Sequence, residues 1–189
     1  MPGDSEATKR RLLDAAAREF AAYGIAGARV DRIAESAKAN KAQIYHYFGS
    51  KDELFDAMFN EMVAVTTQEA PLDPLDLPGY AARLCDGFEE NPYLGRLAAW
   101  YRLERAETQA PLESIARANR GKVERIEAAQ RAGKLPDRFS APDLLALVVT
   151  VAGMWTALTP EHNELLGTRT PEHRRQVVVD AVTTLIGDL

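Results

Sequence analysis

Apolar residues recur three and four positions apart in almost every segment of this chain, and no run alternates between polar and apolar residues as a half-buried strand would. The segments end at Gly, Pro or capping residues, at intervals typical of helices. The sequence therefore predicts an all-α fold. With 189 residues, 46% of them hydrophobic, the chain is long enough to bury one large core or two small ones.

Three helices with short connections are predicted near the N-terminus. The first covers residues 5–24 and ends at Gly24, since Gly adopts the left-handed conformation that commonly ends a helix. The second is marked by apolar residues at helical spacing, namely Val30, Ile33, Ala34 and Ala37. The third covers residues 41–48, between Asn40 as N-cap and Gly49. A short connection between two short helices is typical of a helix-turn-helix.

Longer helices are predicted beyond this region. Ser50 and Glu53 form a capping-box pattern, which indicates a helix from residue 50 to about residue 67. The proline-rich residues 71–78 are predicted to be non-helical, because each Pro removes a backbone donor. Further helices are predicted at residues 79–90, 92–108, 111–132, 140–158 and 171–186.

The third helix offers polar groups on the side away from its apolar residues. Ile44 and Phe48 are four positions apart and are predicted to face inward, and Tyr47 is predicted to pack as well. The remaining arc consists of Lys41, Ala42, Gln43, Tyr45 and His46. A helix fits the major groove of B-DNA, and amide, imidazole, hydroxyl and ammonium groups can bind base edges and phosphates. The pattern favours a DNA-binding face.

Charge and cysteine content agree with this hypothesis and exclude several classes of protein. Residues 1–51 contain nine Lys and Arg against six Asp and Glu, whereas the whole chain has a net charge of -5. The single cysteine, Cys85, excludes disulfide scaffolds and zinc fingers and is predicted to be a buried hydrophobe. We expect no metal site, no cofactor and no membrane span, and a cytoplasmic location.

Residues 8–59 resemble the TetR family of bacterial one-component transcriptional regulators. The resemblance rests on Ile33-Ala34 and on the run from Lys41 to Lys51, which reads KAQIYHYFGSK. It implies a homodimer that binds a palindromic double-stranded DNA operator and releases it when a small molecule enters the C-terminal domain. It implies no catalytic residues and favours a repressor. The alternatives are a small helical enzyme and a protein-interaction module.

The resemblance also implies roles for individual residues. Lys41 and Ala42 open the recognition helix, and Gln43 faces the groove, where an amide can pair with adenine. Tyr45 and His46 contact phosphates or bases. Lys51 contacts a phosphate, which the positive end of the following helix also favours.

Three positions depart from the family pattern. Lys38 stands where Gly is common in the turn, so a positive φ there costs on the order of 1 kcal/mol. Ala42 replaces a frequent Gly. Arg29 stands where a capping Thr is usual, so the second helix is expected to lack its cap, and Arg29 becomes a candidate phosphate contact.

We predict a DNA-binding domain at residues 1–51, a linking helix that begins in it at residues 50–67, and an effector-binding and dimerisation domain at residues 52–189. The predicted helices 140–158 and 171–186 are more apolar than one buried face requires. A homodimer in which these last two helices form a four-helix bundle would bury the excess. Alternatively, both helices are central within one monomer.

An effector pocket is predicted from bulky residues in the middle helices, namely Phe88, Tyr93, Trp100, Tyr101, Met154 and Trp155. The same residues could instead fill a solid core. Arg96, Arg102 and Arg105 lie near them in sequence. They fit either an anionic effector or an exposed, arginine-rich helix face.

Overall fold

All regular secondary structure is helical in a computed structural model that describes residues 2–105 and 111–187, which confirms the predicted all-α fold. The helices are α1 (Pro2–Gly27), α2 (Val30–Ser36), α3 (Lys41–Phe48), α4 (Lys51–Glu69), α5 (Leu77–Glu90), α6 (Tyr93–Arg105), α7 (Glu113–Arg131), α8 (Ala141–Ala152), α9 (Pro160–Leu166) and α10 (Pro171–Ile186). A short 3-10 helix, Met154–Ala157, follows α8. The last residues of the predicted helix 92–108 lie outside the described residues.

The chain forms two compact units, and each unit is built from two separate stretches of the sequence. The N-terminal unit consists of Met1–Ala64 with Tyr93–Leu112, and the C-terminal unit consists of Val65–Pro92 with Glu113–Leu189. Thus α6 belongs to the N-terminal unit, although its neighbours in sequence, α5 and α7, belong to the C-terminal unit. The predicted boundary between residues 51 and 52 concerns function and stays a prediction.

The core of the N-terminal unit is built from one apolar face of each of its first four helices. The fully buried side chains include Leu12, Phe20, Ile33, Ile44, Leu54 and Phe55. Phe20 packs edge-on against Phe55, with ring centroids 5.1 Å apart. Tyr23 follows Phe20 by three positions, as a residue on the same helix face would, yet it is exposed. The Arg32 guanidinium lies over the Tyr23 ring, 4.3 Å from the ring centroid.

The core of the C-terminal unit lies between α5, α7, α8 and α10. Its most buried members include Tyr80, Ile126, Leu144, Val148, Val178 and Val182. Cys85 is also buried, as predicted. Within the described part of the chain, every helix is too short or too polar to cross a lipid bilayer.

Two of the predicted helix boundaries are wrong in this unit. Helix α5 begins at Leu77 and contains Pro78, so residues 71–78 are not entirely non-helical. Pro is tolerated in a first turn, where its missing donor would have no partner, and Asp76 caps this turn by accepting from Gly79 N at 2.9 Å. The predicted helix 140–158 ends at Ala152 and changes to a 3-10 turn after Gly153.

Helix α9 is not among the helices predicted from the sequence. Its N-cap is Thr159, and Pro160 occupies its first turn. These residues are a helix-start signal, but α9 has no buried residue, so no apolar stripe marks it.

Candidate nucleic-acid interface

Helix α3 begins with a reciprocal pair of side-chain caps. Asn40 Oδ1 accepts from Gln43 N at 2.9 Å, and Gln43 Oε1 accepts from Asn40 N at 3.0 Å. The predicted N-cap is confirmed. The second bond was not predicted, although Gln three positions after an N-cap is a capping-box signal. These bonds fix the Gln43 side chain at the start of α3.

The turn between α2 and α3 contains one residue in the left-handed conformation, and that residue is not a glycine. Lys38 has φ 51°. Its N–H donates to Glu35 O at 3.0 Å, and Ala39 N donates to Ala34 O at 2.9 Å, which is the Schellman pattern at a helix end. The turn is therefore well hydrogen-bonded, and the cost of a side chain at positive φ falls on Lys38.

The two faces of α3 differ as predicted. Ile44 is fully buried and Phe48 is buried, whereas Ala42, Tyr45 and His46 are exposed, Tyr45 by 45%. Tyr47 is half-buried, and its hydroxyl oxygen lies 3.2 Å from Ser5 Oγ on α1, which donates to it. Packing thus holds the inner face of α3 and leaves the outer face accessible.

Lys41 is paired with a carboxylate. Its Nζ lies 3.0 Å from Asp31 Oδ1, and both side chains are at least half exposed. The hydrogen bond to Asp31 raises the pKa of Lys41. Lys41 therefore keeps its positive charge at neutral pH and can exchange Asp31 for a phosphate.

Arg29 precedes α2 and is exposed. In the described part of the chain its side chain does not cap α2, as predicted. Instead, Glu19 Oε1 accepts from Arg29 N at 2.9 Å and from Arg32 Nε at 2.8 Å. A carboxylate from α1 thus holds the residue that precedes α2, although it does not supply the bond that a capping side chain would make, and a local sequence pattern does not reveal this contact.

Lys51 makes contacts that the sequence analysis missed. Its Nζ donates to Ala26 O at 3.1 Å and to Ala28 O at 3.3 Å. It lies at the first position of α4, where Ser50 Oγ accepts from Glu53 N at 3.1 Å. Lys51 therefore ties α4 to the end of α1, and its phosphate contact stays a prediction.

The six bulky residues of the predicted effector pocket are divided between the two units. Tyr93, Trp100 and Tyr101 lie on α6, in the N-terminal unit, where the Tyr101 ring stacks on Phe59 with centroids 4.6 Å apart. The other three residues belong to the C-terminal unit, and they are Phe88, Met154 and Trp155.

The three residues of the C-terminal unit lie at or near the 3-10 turn after α8. The Phe88 ring faces Gly153, where an added Cβ would come within 3.3 Å of it. Trp155 Nε1 donates to Arg174 O at 3.2 Å. Trp155 and Arg174 also line a cleft of about 240 Å³ together with Leu166 and Arg169.

Two polar side chains inside the C-terminal unit were missed. The Tyr80 hydroxyl is buried and has no hydrogen-bond partner among the residues described, and burial raises its pKa to about 12. Burial also lowers the pKa of Lys122, whose Nζ lies 6.0 Å from the Tyr80 ring centroid. In the sequence, Tyr80 occupies an apolar helical position and is indistinguishable from an ordinary core residue.

Arg105 is not part of an exposed helix face. It is only 5% exposed, and its guanidinium lies 3.4 Å from Asp52 Oδ1 and 3.2 Å from Asp56 Oδ1. Burial raises the pKa of Asp56, and the charge of Arg105 opposes that shift. The exposed-face interpretation of this arginine is therefore wrong, because Arg105 joins the end of α6 to α4.

Models of two known protein families match separate parts of this chain. Residues 12–58 match the family model described as bacterial regulatory proteins, tetR family. Residues 76–183 match the model described as tetracyclin repressor-like, C-terminal domain.

Individual relatives agree over most of the chain. The HTH-type transcriptional repressor SCO4008 of Streptomyces coelicolor is 40% identical over 164 residues, which cover 86% of this chain and 85% of the relative. The crystal structure of SCO4942, a transcriptional regulator from the same species, has a TM-score of 0.82 and 37% identity, with 94% and 97% of the two chains covered. AibR, solved with isovaleryl coenzyme A and operator DNA, shares the fold at a TM-score of 0.71 and 16% identity, over 93% and 97% of the chains.

Proposed function

We propose, from the premise that the chain belongs to the TetR family of bacterial regulatory proteins, that it is a repressor whose homodimer binds a palindromic operator. Members of this family regulate transcription and are not enzymes, so the enzyme alternative is set aside. Repression of transcription, as opposed to activation, is supported by the relative SCO4008, a repressor that is 40% identical to this chain. We further propose that a small molecule bound by residues 52–189 ends the interaction with DNA.

The outer face of α3 carries this proposal. Tyr45 and His46 are exposed on the same helix whose opposite side is held by Ile44 and Phe48. A rigid helix with exposed polar groups can enter a major groove and meet base edges there. Residues 41–46 are therefore proposed as the recognition segment.

Gln43 is proposed to read a base while it caps α3. Its Oε1 accepts from Asn40 N and, having two lone pairs, can accept a second bond from adenine N6. Its Nε2 can donate to adenine N7 in the same pair, and such bidentate contacts give about 1 to 3 kcal/mol of discrimination. The capping bond orients the amide before DNA arrives, which reduces the entropy lost on binding.

The charged and aromatic residues around Gln43 are proposed to fix the position of the duplex. Lys41 and Arg29 would bind phosphates as cations, and Tyr45 and His46 would donate hydrogen bonds. Lys51 would do so from the start of α4, where free backbone N–H groups also favour an anion. Contacts to phosphates determine affinity and register but read no sequence, whereas a hydrogen bond from Tyr45 or His46 to a base edge would read one.

The dimer is proposed to form through α8 and α10. Both helices bury one face in the C-terminal unit and expose apolar residues on another, among them Val149, which is 40% exposed, and Ala181. A four-helix bundle with the same two helices of a second copy would cover these residues. Val149→Glu should then yield monomers in light scattering, whereas Leu165→Glu on α9, where Leu165 is 84% exposed, should leave the dimer intact.

The Tyr80 hydroxyl is proposed to contact the effector, because the hydroxyl is buried, the described residues offer it no partner, and a ligand could supply one. The effector can release DNA only if it binds the DNA-free conformation more tightly. Because Tyr80→Phe removes the hydroxyl, the variant should bind the effector more weakly. Its affinity for the operator, measured without effector, should be unchanged.

Selection from a pool of random duplexes tests the proposed function. The full-length protein should enrich a palindrome whose half-sites lie about 34 Å apart, one helical turn, so that each recognition helix meets its own major groove. Recovery of duplexes without a shared sequence would contradict the proposal. That result would favour the alternative, in which the chain is a protein-interaction module.

A further inference from the structure

Helix α1 is interrupted at Gly24. This residue has φ 72° and ψ 177°, far from helical values, between helical residues on both sides. In an unbroken helix, Ile25 N would donate to Ala21 O, and Ala26 N would donate to Ala22 O. The conformation of Gly24 turns these groups away from each other and leaves them in need of other partners.

Helix α6 supplies partners for the two N–H groups. Glu104 Oε1 accepts from Ile25 N at 3.0 Å, and Oε2 of the same carboxylate accepts from Ala26 N at 2.8 Å. Each oxygen of one carboxylate thus binds one amide, and hydrogen bonds to a charged acceptor are stronger than neutral ones. Glu104 caps the residues after the break as an N-cap residue would, although it lies on another helix.

The same helix supplies partners for the two carbonyl groups. Arg96 Nε donates to Ala21 O at 2.8 Å, and its Nη2 lies 3.5 Å from Ala22 O. Trp100 Nε1 also donates to Ala21 O, at 3.3 Å. Side chains of α6 therefore pair the N–H groups of Ile25 and Ala26 and the carbonyls of Ala21 and Ala22.

Gly24 is the residue that permits this contact. An added Cβ would lie 2.5 Å from Glu104 Oε1 and 2.9 Å from Trp100 Cε3. The position requires glycine both for its positive φ and for the close approach of α6.

The short turn after the break leads directly into the DNA-binding motif. Ala28 N donates to Gly24 O at 3.1 Å, and Lys51 Nζ binds the carbonyls of Ala26 and Ala28. Within residues 25–28, Glu104 therefore holds the first two N–H groups, and Lys51 holds the carbonyls of Ala26 and Ala28. Helix α2 begins at Val30, two residues later.

We infer that Glu104 is a positioning residue for operator binding. The inference rests on the proposed function and adds to it a residue that makes no DNA contact of its own. The direction in which the chain leaves residues 25–28 sets the placement of α2, and α2 packs against α3. Without the carboxylate, the N–H groups of Ile25 and Ala26 lose their partners, the turn samples other conformations, and a smaller fraction of molecules presents α3 correctly.

The experiment compares Glu104→Ala and Glu104→Gln with the wild type. Glutamine keeps one acceptor oxygen, so it can hold only one of the two amides. Glu90→Gln is the matched control, because Glu90 is exposed and its replacement removes the same charge. Fluorescence anisotropy measures Kd for a palindromic duplex recovered by selection, and NMR hydrogen exchange follows the amides of residues 25 and 26.

The expected order is specific to a positioning role. Glu104→Ala should weaken operator binding about tenfold and Glu104→Gln about threefold, because alanine removes both hydrogen bonds to the turn and glutamine removes one, so the fraction of molecules that present α3 correctly falls further in the first variant. Glu90→Gln should bind as the wild type does. The salt dependence of Kd should not change, because Glu104 neutralises no phosphate. In both variants the exchange of Ile25 and Ala26 amides should become faster.

Three results would overturn the inference. The first is a wild type whose Ile25 and Ala26 amides exchange as fast as unprotected ones. The second is a set of folded variants with lowered unfolding midpoints but unchanged Kd, which would give Glu104 a purely structural role. In the third, the wild type itself selects no duplex, and only this outcome would also refute the proposed function.

Discussion

Backbone N–H groups without a helical partner are capped by side chains both at the start of α3 and at the break in α1. The capping residues lie at different distances along the chain in the two places. At the start of α3, free backbone N–H groups are capped by Asn40 and Gln43, which are three residues apart. At the break in α1, the free N–H groups are capped by Glu104, 78 and 79 residues away. The first cap forms whenever the local segment does, whereas the second requires α6 to pack. The difference separates what a local sequence pattern predicts from what only the folded chain reveals.

Gly24→Ala should have the largest effect on the long-range cap. Alanine would be strained at φ 72°, and its Cβ would collide with Glu104 and Trp100. Together, strain and overlap should lower the free energy of unfolding by about 3 kcal/mol. Urea denaturation measures the change.

Gly27→Ala is the matched control, because an added Cβ there would come no closer than 3.5 Å to Tyr23 Cβ. It should change stability by less than about 0.5 kcal/mol. Equal effects at the two glycines would show that α6 does not approach the break as described.

Asn40→Ala should have a smaller effect, because it removes one local cap. Loss of an N-cap side chain costs about 1 kcal/mol. The variant should also bind the selected duplex more weakly, since Gln43 is no longer held at the start of α3. Asn40→Asp keeps an acceptor oxygen and should retain most of the stability, so calorimetry of the two variants isolates the cap.

Lys38→Gly should change stability in the opposite direction. Glycine adopts φ 51° without a side-chain penalty, so the variant should gain up to about 1 kcal/mol. Lys38→Ala keeps a Cβ and should gain nothing. A thermal midpoint that rises equally for both variants would mean that loss of charge, not backbone strain, stabilises the turn.

Lys51→Ala should give the smallest effect, and its readout is the salt dependence of DNA binding. If Lys51 contacts a phosphate, the slope of log Kd against log salt should fall by about one unit, with Kd weakened on every duplex. An unchanged slope with weaker binding would restrict Lys51 to its contacts with Ala26 and Ala28.

The sequence predicted the DNA-binding motif closely because its determinants are local. The bounds of α3, the Asn40 cap and the inward positions of Ile44 and Phe48 depend on spacing within one or two turns. The contacts of Glu19 and Lys51 could not be predicted, because they join residues that only tertiary packing brings together.

The contacts that α6 makes could not be predicted from the sequence either. The sequence predicts that Trp100 and Tyr101 line one pocket with Phe88, Met154 and Trp155, because all five are bulky and lie in the middle helices. In the fold, α6 belongs to the N-terminal unit, where Trp100 binds Ala21 and Tyr101 stacks on Phe59, and the shared pocket stays a prediction. Sequence order gave no sign that this helix leaves its neighbours, since it has the same spacing of apolar residues as they do.

One titration can decide whether the outer face of α3 meets DNA. The double variant Tyr45→Ala/His46→Ala removes two exposed side chains and leaves the buried face of α3 intact, and His162→Ala removes an exposed histidine from α9. The double variant should keep its unfolding midpoint and bind the selected palindrome at least about tenfold more weakly, while His162→Ala should bind as the wild type does. Equal Kd values for all three proteins would contradict the contact between α3 and DNA.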